Sequence, residues 1–268
     1  MSLQGKVIWL TGASSGIGEA LAYELAKKKA KLILSARRKE ELERVKGNCH
    51  PMAQAEIKLL PFDLSETANL QLITEAAVHL FGHIDVLINN GGISQRSLAK
   101  DTVVSVDRKI MEVDYFGTVS LTKYLLPHFL KRKGGHYVVV TSAMGIIGTP
   151  YRSGYAAAKH ALHGFFDSLR AELWKESKNL HVTLICPGWV HTNITLNAMT
   201  GDGSKLNQMD ETTHQGLEPR AFARKMIRAI ENKKNEVYIG GWKEVSAIYL
   251  KRFFPNLFAR IVRTAKVR

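Results

Sequence analysis

Cysteine is scarce: Cys49 and Cys186 are the two in 268 residues. Two thiols make neither a disulfide framework nor a zinc pattern, and Cys186, inside a strand-like run, reads as a buried, reduced side chain. No metal site is expected. His160 and His163 share a helix face at metal-like spacing, but no carboxylate motif accompanies them. No apolar run approaches the roughly 20 residues that a bilayer-spanning helix needs, and the start MSLQGKV lacks the n- and h-regions of a secretory signal. The expected location is the cytoplasm. Repeats, low-complexity tracts and domain boundaries are also missing, which leaves one domain over residues 1–268. Acidic residues are outnumbered, 24 against 38 basic, for a net charge of +14. Charge alone raises nucleic acid as a partner. Without a helix-turn-helix, zinc-finger or RNA-binding signature, that reading is set aside.

What is present is alternation. Strand-like runs at 6–10, 31–36, 57–62, 86–89, 137–141, 182–186 and 236–239 are separated by helix-like stretches at 19–29, 38–46, 65–81, 103–131 and 155–175. That order predicts an α/β protein with a doubly wound parallel sheet of about seven strands and helices on both faces. An apolar share of 45% supplies an ordinary globular core.

The first strand runs into Thr11-Gly12-Ala13-Ser14-Ser15-Gly16-Ile17-Gly18, and a helix follows. Strand, glycine-rich turn and helix form the context of a dinucleotide-binding, Rossmann-type fingerprint. Glycines let the backbone turn and approach a pyrophosphate, whose charge the helix N-terminus favours. The spacing is G-x-x-x-G-x-G rather than G-x-G-x-x-G.

Further along, Ser142 precedes Tyr155 and Lys159 in TSAMGIIGTPYRSGYAAAK. Tyr155 and Lys159 are four apart, so on a helix they share a face. An ammonium beside a phenol favours the phenolate and suits the pair to proton exchange. Alone, Y-x-x-x-K is weak, since both residues are common on helix surfaces.

Taken together, TGASSGIG, NNGG at 89–92, Ser142, YAAAK and Pro187-Gly188-Trp189-Val190-His191-Thr192 resemble the short-chain dehydrogenase/reductase family, in order and spacing, from residue 3 to 192. The run GTVSLTK at 117–123 and the basic C-terminus resemble its membrane-associated, lipid- or steroid-active members more closely. The resemblance implies catalysis by Ser142, Tyr155 and Lys159. Tyr155 would protonate the developing alkoxide, Ser142 would orient that oxygen, and Lys159 would bind the nicotinamide ribose as well as act on the tyrosine. It also implies dinucleotide contacts from Gly12, Ser14, Ser15, Gly16, Ile17 and Gly18. Asp63 and Leu64 would meet the adenine, although Asp63 can equally be a helix N-cap. Asn89, Gly91, Pro187, Gly188, Val190 and Thr192 would lie near the nicotinamide.

The second strand ends in Ser35-Ala36-Arg37-Arg38, with no carboxylate to receive a ribose 2′-hydroxyl. Arginine accommodates a 2′-phosphate instead, so NADP(H) is the expected cofactor, with Arg37 first and Arg38 second as its reader. One position departs from the family pattern: Asp114 stands where many relatives carry the asparagine of a proton relay. A carboxylate accepts hydrogen bonds but, when ionised, cannot donate them. It can also pair with Lys159.

Residues 193–219 are polar and glycine-containing, and in the resembled family they cover the substrate. A mobile lid is expected, with a surface insert as the other reading. Residues 242–268 carry apolar stripes at helical spacing among basic residues. From 243 to 268 seven basic residues face one acidic, for +6. Such a segment lies on a membrane interface, or packs on the protein's own core or another subunit. The family also implies a homodimer or homotetramer. The expected function is an NADP(H)-dependent oxidoreductase interconverting a small-molecule carbonyl and alcohol, on an apolar lipid-, retinoid- or steroid-like substrate. The alternative is a dinucleotide-binding regulatory or scaffold protein with weak or no turnover, motivated by Asp114 and the basic tail.

Overall fold

The computed structural model describes residues 1–265. The elements run β1 (Val7–Thr11), α1 (Gly16–Lys27), β2 (Lys31–Ser35), α2 (Lys39–Gly47), α3 (Pro51–Gln54), β3 (Ile57–Leu59), α4 (Leu70–Phe81) and β4 (Val86–Asn89). Then come α5 (Val104–Ile110), a π-helical segment (Met111–Gly117), α6 (Thr118–Arg132), β5 (Gly135–Val140), α7 (Ser153–Glu176) and β6 (Leu180–Pro187). The chain continues through α8 (Glu211–His214), α9 (Pro219–Glu231), β7 (Glu236–Ile239), α10 (Trp242–Phe253) and α11 (Pro255–Val262).

Among the described residues the strands form one parallel sheet in the order β3-β2-β1-β4-β5-β6-β7. Strand alternation sorts the core to its two faces. Ile8 and Leu10 of β1 join the layer under α1 and α9, with Leu21, Leu25, Phe222 and Met226. Val7 and Trp9 join the opposite layer, under α4, α6 and α7, with Leu121, Phe129, Leu162 and Phe166. The buried Trp9 indole keeps its donor satisfied by giving Nε1–H to Ser35 Oγ at 2.9 Å.

The chain winds outward from β1 to β3 and then crosses to β4. This reversal opens a crevice at the carboxyl ends of β1 and β4, where ligands of such sheets bind. The glycine turn follows β1 there and NNGG follows β4.

Three elements carry detail beyond the expected pattern. The long helix expected over 103–131 is present over 104–132 and carries a π segment in its middle, whose Gly117 lies so close to Leu64 that a Cβ would stand 2.6 Å from its carbonyl oxygen. Helix α9 is not among the elements expected from the sequence, although Pro219 at its start and Phe222, Met226 and Ile230 along one face mark it. Residues 193–219, the segment expected to act as a lid, make several backbone contacts with their surroundings. Met199 bridges Gln95 and Lys205, Leu217 bridges Val190, and Val103 N–H donates to Gly201 O. No helix among the described residues is long and apolar enough to cross a membrane.

Candidate active site

Each glycine of the first turn has a separate physical reason. Gly12 and Gly16 have φ of +64° and +57°, a region costly for other residues. At Gly18 a Cβ would meet the Gly12 carbonyl oxygen at 2.1 Å, so helix α1 packs against its own turn only because that side chain is missing. Asn90 buttresses the arrangement: Nδ2 donates to Thr11 O at 3.0 Å and Gly12 O at 3.2 Å. Thr11 Oγ1 in turn accepts the amide protons of Asn90 and Gly91, both at 3.0 Å. Ser15 is extended at the start of α1 and makes no capping hydrogen bond with its own side chain. Thr192 stands across the turn, 3.0 Å from where a Gly16 Cβ would be. A cavity beside the turn is lined by Gly16, Tyr23, Thr192, Asn193 and Arg220 among others. A cradle that a Cβ would fill, at a helix N-terminus, fits a dinucleotide pyrophosphate.

Beyond the end of β2, Arg37 is exposed and stands 3.8 Å from Asp63. Arg38 is exposed at the start of α2. Asp63 accepts from Ser65 N–H at 2.9 Å, the Asx arrangement. Leu64 lies beneath Gly91, and both border the same crevice. Sequence patterning missed Arg44, whose guanidinium grips Glu19 at 2.7 and 3.0 Å and donates to the Ser14 carbonyl at 3.3 Å. Asn89 differs from its expected placement. Its side chain is buried and donates to Thr122 on α6 at 3.2 Å, so it faces the core rather than the crevice. Gly188 is pressed against Gly240, Pro187 pairs with Ile239 of β7, and Val190 bridges Leu217.

Helix α7 brings Tyr155 and Lys159 to the end of β5. Lys159 is buried, donates to Val140 O at 3.4 Å, and holds its Nζ 5.6 Å from the Tyr155 ring centre. Ser142 is extended just beyond β5, and its Oγ accepts from Met144 N–H at 3.1 Å. Its neighbours Ala143 and Met144 pack in one apolar cluster with Tyr155, Ile248 and Phe258, so the last two helices wall the site.

Asp114 meets Lys159, a pairing its charge and position allow. The π segment turns it fully inward, where its Oδ2 lies 3.0 Å from Lys159 Nζ and its Oδ1 accepts from Ile93 N–H at 2.8 Å. Gly92 makes room, since a Cβ there would sit 3.1 Å from the carboxylate. Burial pushes the Asp114 carboxyl above the usual carboxylate range, against the pull of Lys159 and the Ile93 amide. Burial also pulls Lys159 down, but the Asp114 charge overrides it and holds the ammonium above its ordinary value.

The sequence pattern of short chain dehydrogenases matches residues 6–202. The chain belongs to the short-chain dehydrogenase/reductase family. It is 45% identical to human dehydrogenase/reductase SDR family member 7 over 258 residues, covering 95% of this chain and 76% of that one. It is 40% identical to the mouse member 7B, covering 97% and 81%. Among solved structures it is similar in fold to a short chain dehydrogenase/reductase from Burkholderia phymatum in complex with NAD (TM-score 0.86, 22% identity, 96% of each chain). A short chain dehydrogenase from Burkholderia cenocepacia in complex with NADP gives a TM-score of 0.78 at 24% identity, over 98% of this chain and 99% of that one. As a short-chain dehydrogenase/reductase, the protein is an NAD(P)-binding oxidoreductase.

Against the family pattern, the Asp114–Lys159 pair gives this member a carboxylate wired directly to the lysine. One further cluster lies behind the site: His163 Nε2 faces Thr141 Oγ1 at 3.1 Å and Cys186 Sγ at 3.7 Å, while Nδ1 faces Glu236 at 3.9 Å. Burial pushes the Cys186 thiol up to about 12, which keeps it protonated and inert at neutral pH.

Proposed function

We propose that the protein is an NADP(H)-dependent oxidoreductase that interconverts a carbonyl and an alcohol on an apolar substrate. The observation that carries this reading is Tyr155 and a charged, anchored Lys159 on one helix face, with Tyr155 packed against Ala143 and Met144, the residues that follow Ser142 beyond β5. NADP(H) held at the glycine turn would supply the hydride for a carbonyl carbon. Tyr155 Oη gives the proton to the carbonyl oxygen, and Ser142 Oγ donates a hydrogen bond that orients it. Lys159 favours the phenolate left behind and would also hold the ribose hydroxyls of the cofactor. Arg37, Ser14 and Ser15 would hold the 2′-phosphate, with Arg38 in reserve; the absence of a carboxylate at the end of β2 supports the phosphate-bearing cofactor.

A panel of carbonyl compounds of graded hydrophobicity, run with NADPH and NADH, tests this. Turnover is expected with NADPH on the apolar members. Arg37→Glu is expected to raise KM for NADPH by about 10-fold or more, as loss of a charged hydrogen bond implies, and to leave NADH nearly unaffected. Dinucleotide binding without reduction of any carbonyl would favour the regulatory reading instead.

The apolar substrate class is supported by α10 and α11. Their inner edge, Ile248 and Phe258, packs on the Tyr155 cluster. Their outer edge exposes Trp242, Tyr249, Phe253, Phe254, Leu257 and Ile261 beside the cations Lys243, Arg252, Arg260 and Arg263. Lys266 and Arg268 of the same basic run lie outside the described residues. Interfacial aromatics ringed by cations suit an anionic lipid surface, which would place the protein peripherally on a membrane facing the cytoplasm. Ending the chain near Gly241 would strip the wall from the site, so exposed residues make the cleaner variant. Phe253→Glu with Phe254→Glu is expected to abolish co-sedimentation with anionic phospholipid vesicles. Unchanged co-sedimentation would count against the membrane contact. On family analogy we also propose a homodimer or homotetramer.

A further inference from the structure

Three buried charged residues far apart in sequence meet on one oxygen. Arg96, on the loop after β4, places Nε 2.7 Å from Asp210 Oδ2, and Arg152, at the start of α7, places Nη2 3.3 Å from the same atom. All three are at most 5% exposed. Arg96 is further fixed by Ser94 Oγ at 2.7 Å, the Gln95 carbonyl at 2.8 Å and Thr195 Oγ1 at 3.3 Å. Arg152 lies over the Trp189 ring at 4.3 Å. Asp210 belongs to the 193–219 segment, and its carbonyl receives the amides of Thr213 and His214 in α8.

The same region grips the first turn of α7 by a second route. Gln95 Oε1 accepts Gly154 N–H at 2.9 Å, and Asp107 packs where a Gly154 Cβ would lie. Just ahead, Tyr151 adopts φ of +68°, a backbone state unfavourable for a bulky residue, and its carbonyl accepts Ser97 N–H at 3.1 Å. Such a conformation persists where surrounding contacts over-determine it. The turn so held ends one residue before Tyr155.

We propose that Asp210 is a positioning residue: through Arg152 it sets the first turn of α7, and with it Tyr155, while through Arg96 it docks the segment over the crevice. Docking of that segment and alignment of the proton donor are then one event. This rests on the reading of Tyr155 as the proton donor, but its physical core is measurable without turnover. Separating Asp210 from both arginines leaves two buried cations without their shared carboxylate, so the segment and the turn stay together or loosen together.

Hydrogen exchange on the full chain tests the coupling. Asp210→Asn is expected to lose amide protection together in residues 207–217 and 152–156, and Asp210→Glu to keep much of it. In a turnover assay Asp210→Asn is expected to lower kcat by about 10- to 100-fold, the scale of a displaced reacting group, with a smaller change in KM. A merely structural role would lower the melting temperature and leave kcat of the folded enzyme alone. Should Asp210→Asn fail to fold, Arg152→Lys, which keeps the charge and shortens the α7 arm, is expected to loosen 152–156 and 207–217 together, by less than loss of the carboxylate does, and to lower kcat. Loosening of 207–217 in Asp210→Asn with 152–156 still protected would overturn the proposal, as would an unchanged kcat. If no carbonyl is reduced even by the native protein, exchange still decides the coupling, and the two failures remain separate.

Discussion

Tyr155→Phe is expected to lower kcat by about 10²- to 10⁴-fold, the range over which positioned acid–base groups act, while leaving the fold and dinucleotide affinity nearly intact. The substitution removes one hydroxyl and keeps the ring. That ring is 8% exposed and packs with Met144, Ile147 and Ile248, contacts that phenylalanine reproduces. Its position 5.6 Å from Lys159 Nζ is also preserved, so the cation–π contribution survives. Lys159 stays anchored by Asp114 rather than by the phenol, so the lysine does not move when the hydroxyl goes. The loss falls on the proton alone. Steady-state rates with the best substrate of the panel, together with a thermal melt and a cofactor titration, check it. A variant retaining a third of the native kcat would remove Tyr155 from the proton step.

Asp114→Ala is expected to cost about 3–5 kcal/mol, the scale of breaking a buried ion pair by removing one partner. The carboxylate is fully buried, holds Lys159 at 3.0 Å and receives the Ile93 amide, so alanine strands a cation and a donor at once. The pH dependence carries a sign. In the native protein the folded-state value of Lys159 is raised, so its share of stability is complete below the ordinary lysine value and is lost as pH rises through the folded one. Asp114, raised by burial, likewise favours the folded state below the ordinary carboxylate value and loses that share as pH climbs through its folded value. Without Asp114, burial dominates Lys159 and depresses it, so the alkaline limb should reverse and the variant should gain stability as the lysine discharges. Melting temperature against pH measures this. The milder Asp114→Asn keeps an acceptor for one of the two donors, and it should fold and turn over with an altered pH profile. Unchanged rate and pH dependence in Asp114→Asn would mean that the carboxylate does not tune the site.

Those two positions were legible in the sequence to different degrees. Tyr155 and Lys159 are four residues apart on one helix, so a local period is enough to bring them together. The glycine turn is contiguous, and its steric logic can be read from spacing alone. Asp114 was visible as a departure and as a charge able to reach Lys159, but the π segment that turns it inward follows from packing against Leu64 and Gly92. Asn90 sat in plain view within NNGG; which of two adjacent asparagines faces the crevice depends on strand alternation, and Asn89 faces the core. The Arg96–Asp210–Arg152 clasp left no trace in the pattern. Its members are separated by 114 and 58 residues, and buried arginine runs against the usual expectation for that side chain. Helix α9 carried a readable apolar stripe behind a long polar stretch that read as loop.

Hydride transfer to a carbonyl carbon in this crevice, under the proton control of Tyr155, would leave an isotopic mark on the alcohol formed. Deuteride transfer from NADPH carrying deuterium at both C4 positions, read by mass spectrometry of the alcohol formed from an apolar carbonyl, is the decisive measurement. One deuterium on the carbinol carbon is expected with the native protein, and product reduced to the background level with Tyr155→Phe. Saturable dinucleotide binding with no deuterium in any product, or equal labelling by Tyr155→Phe, would contradict it.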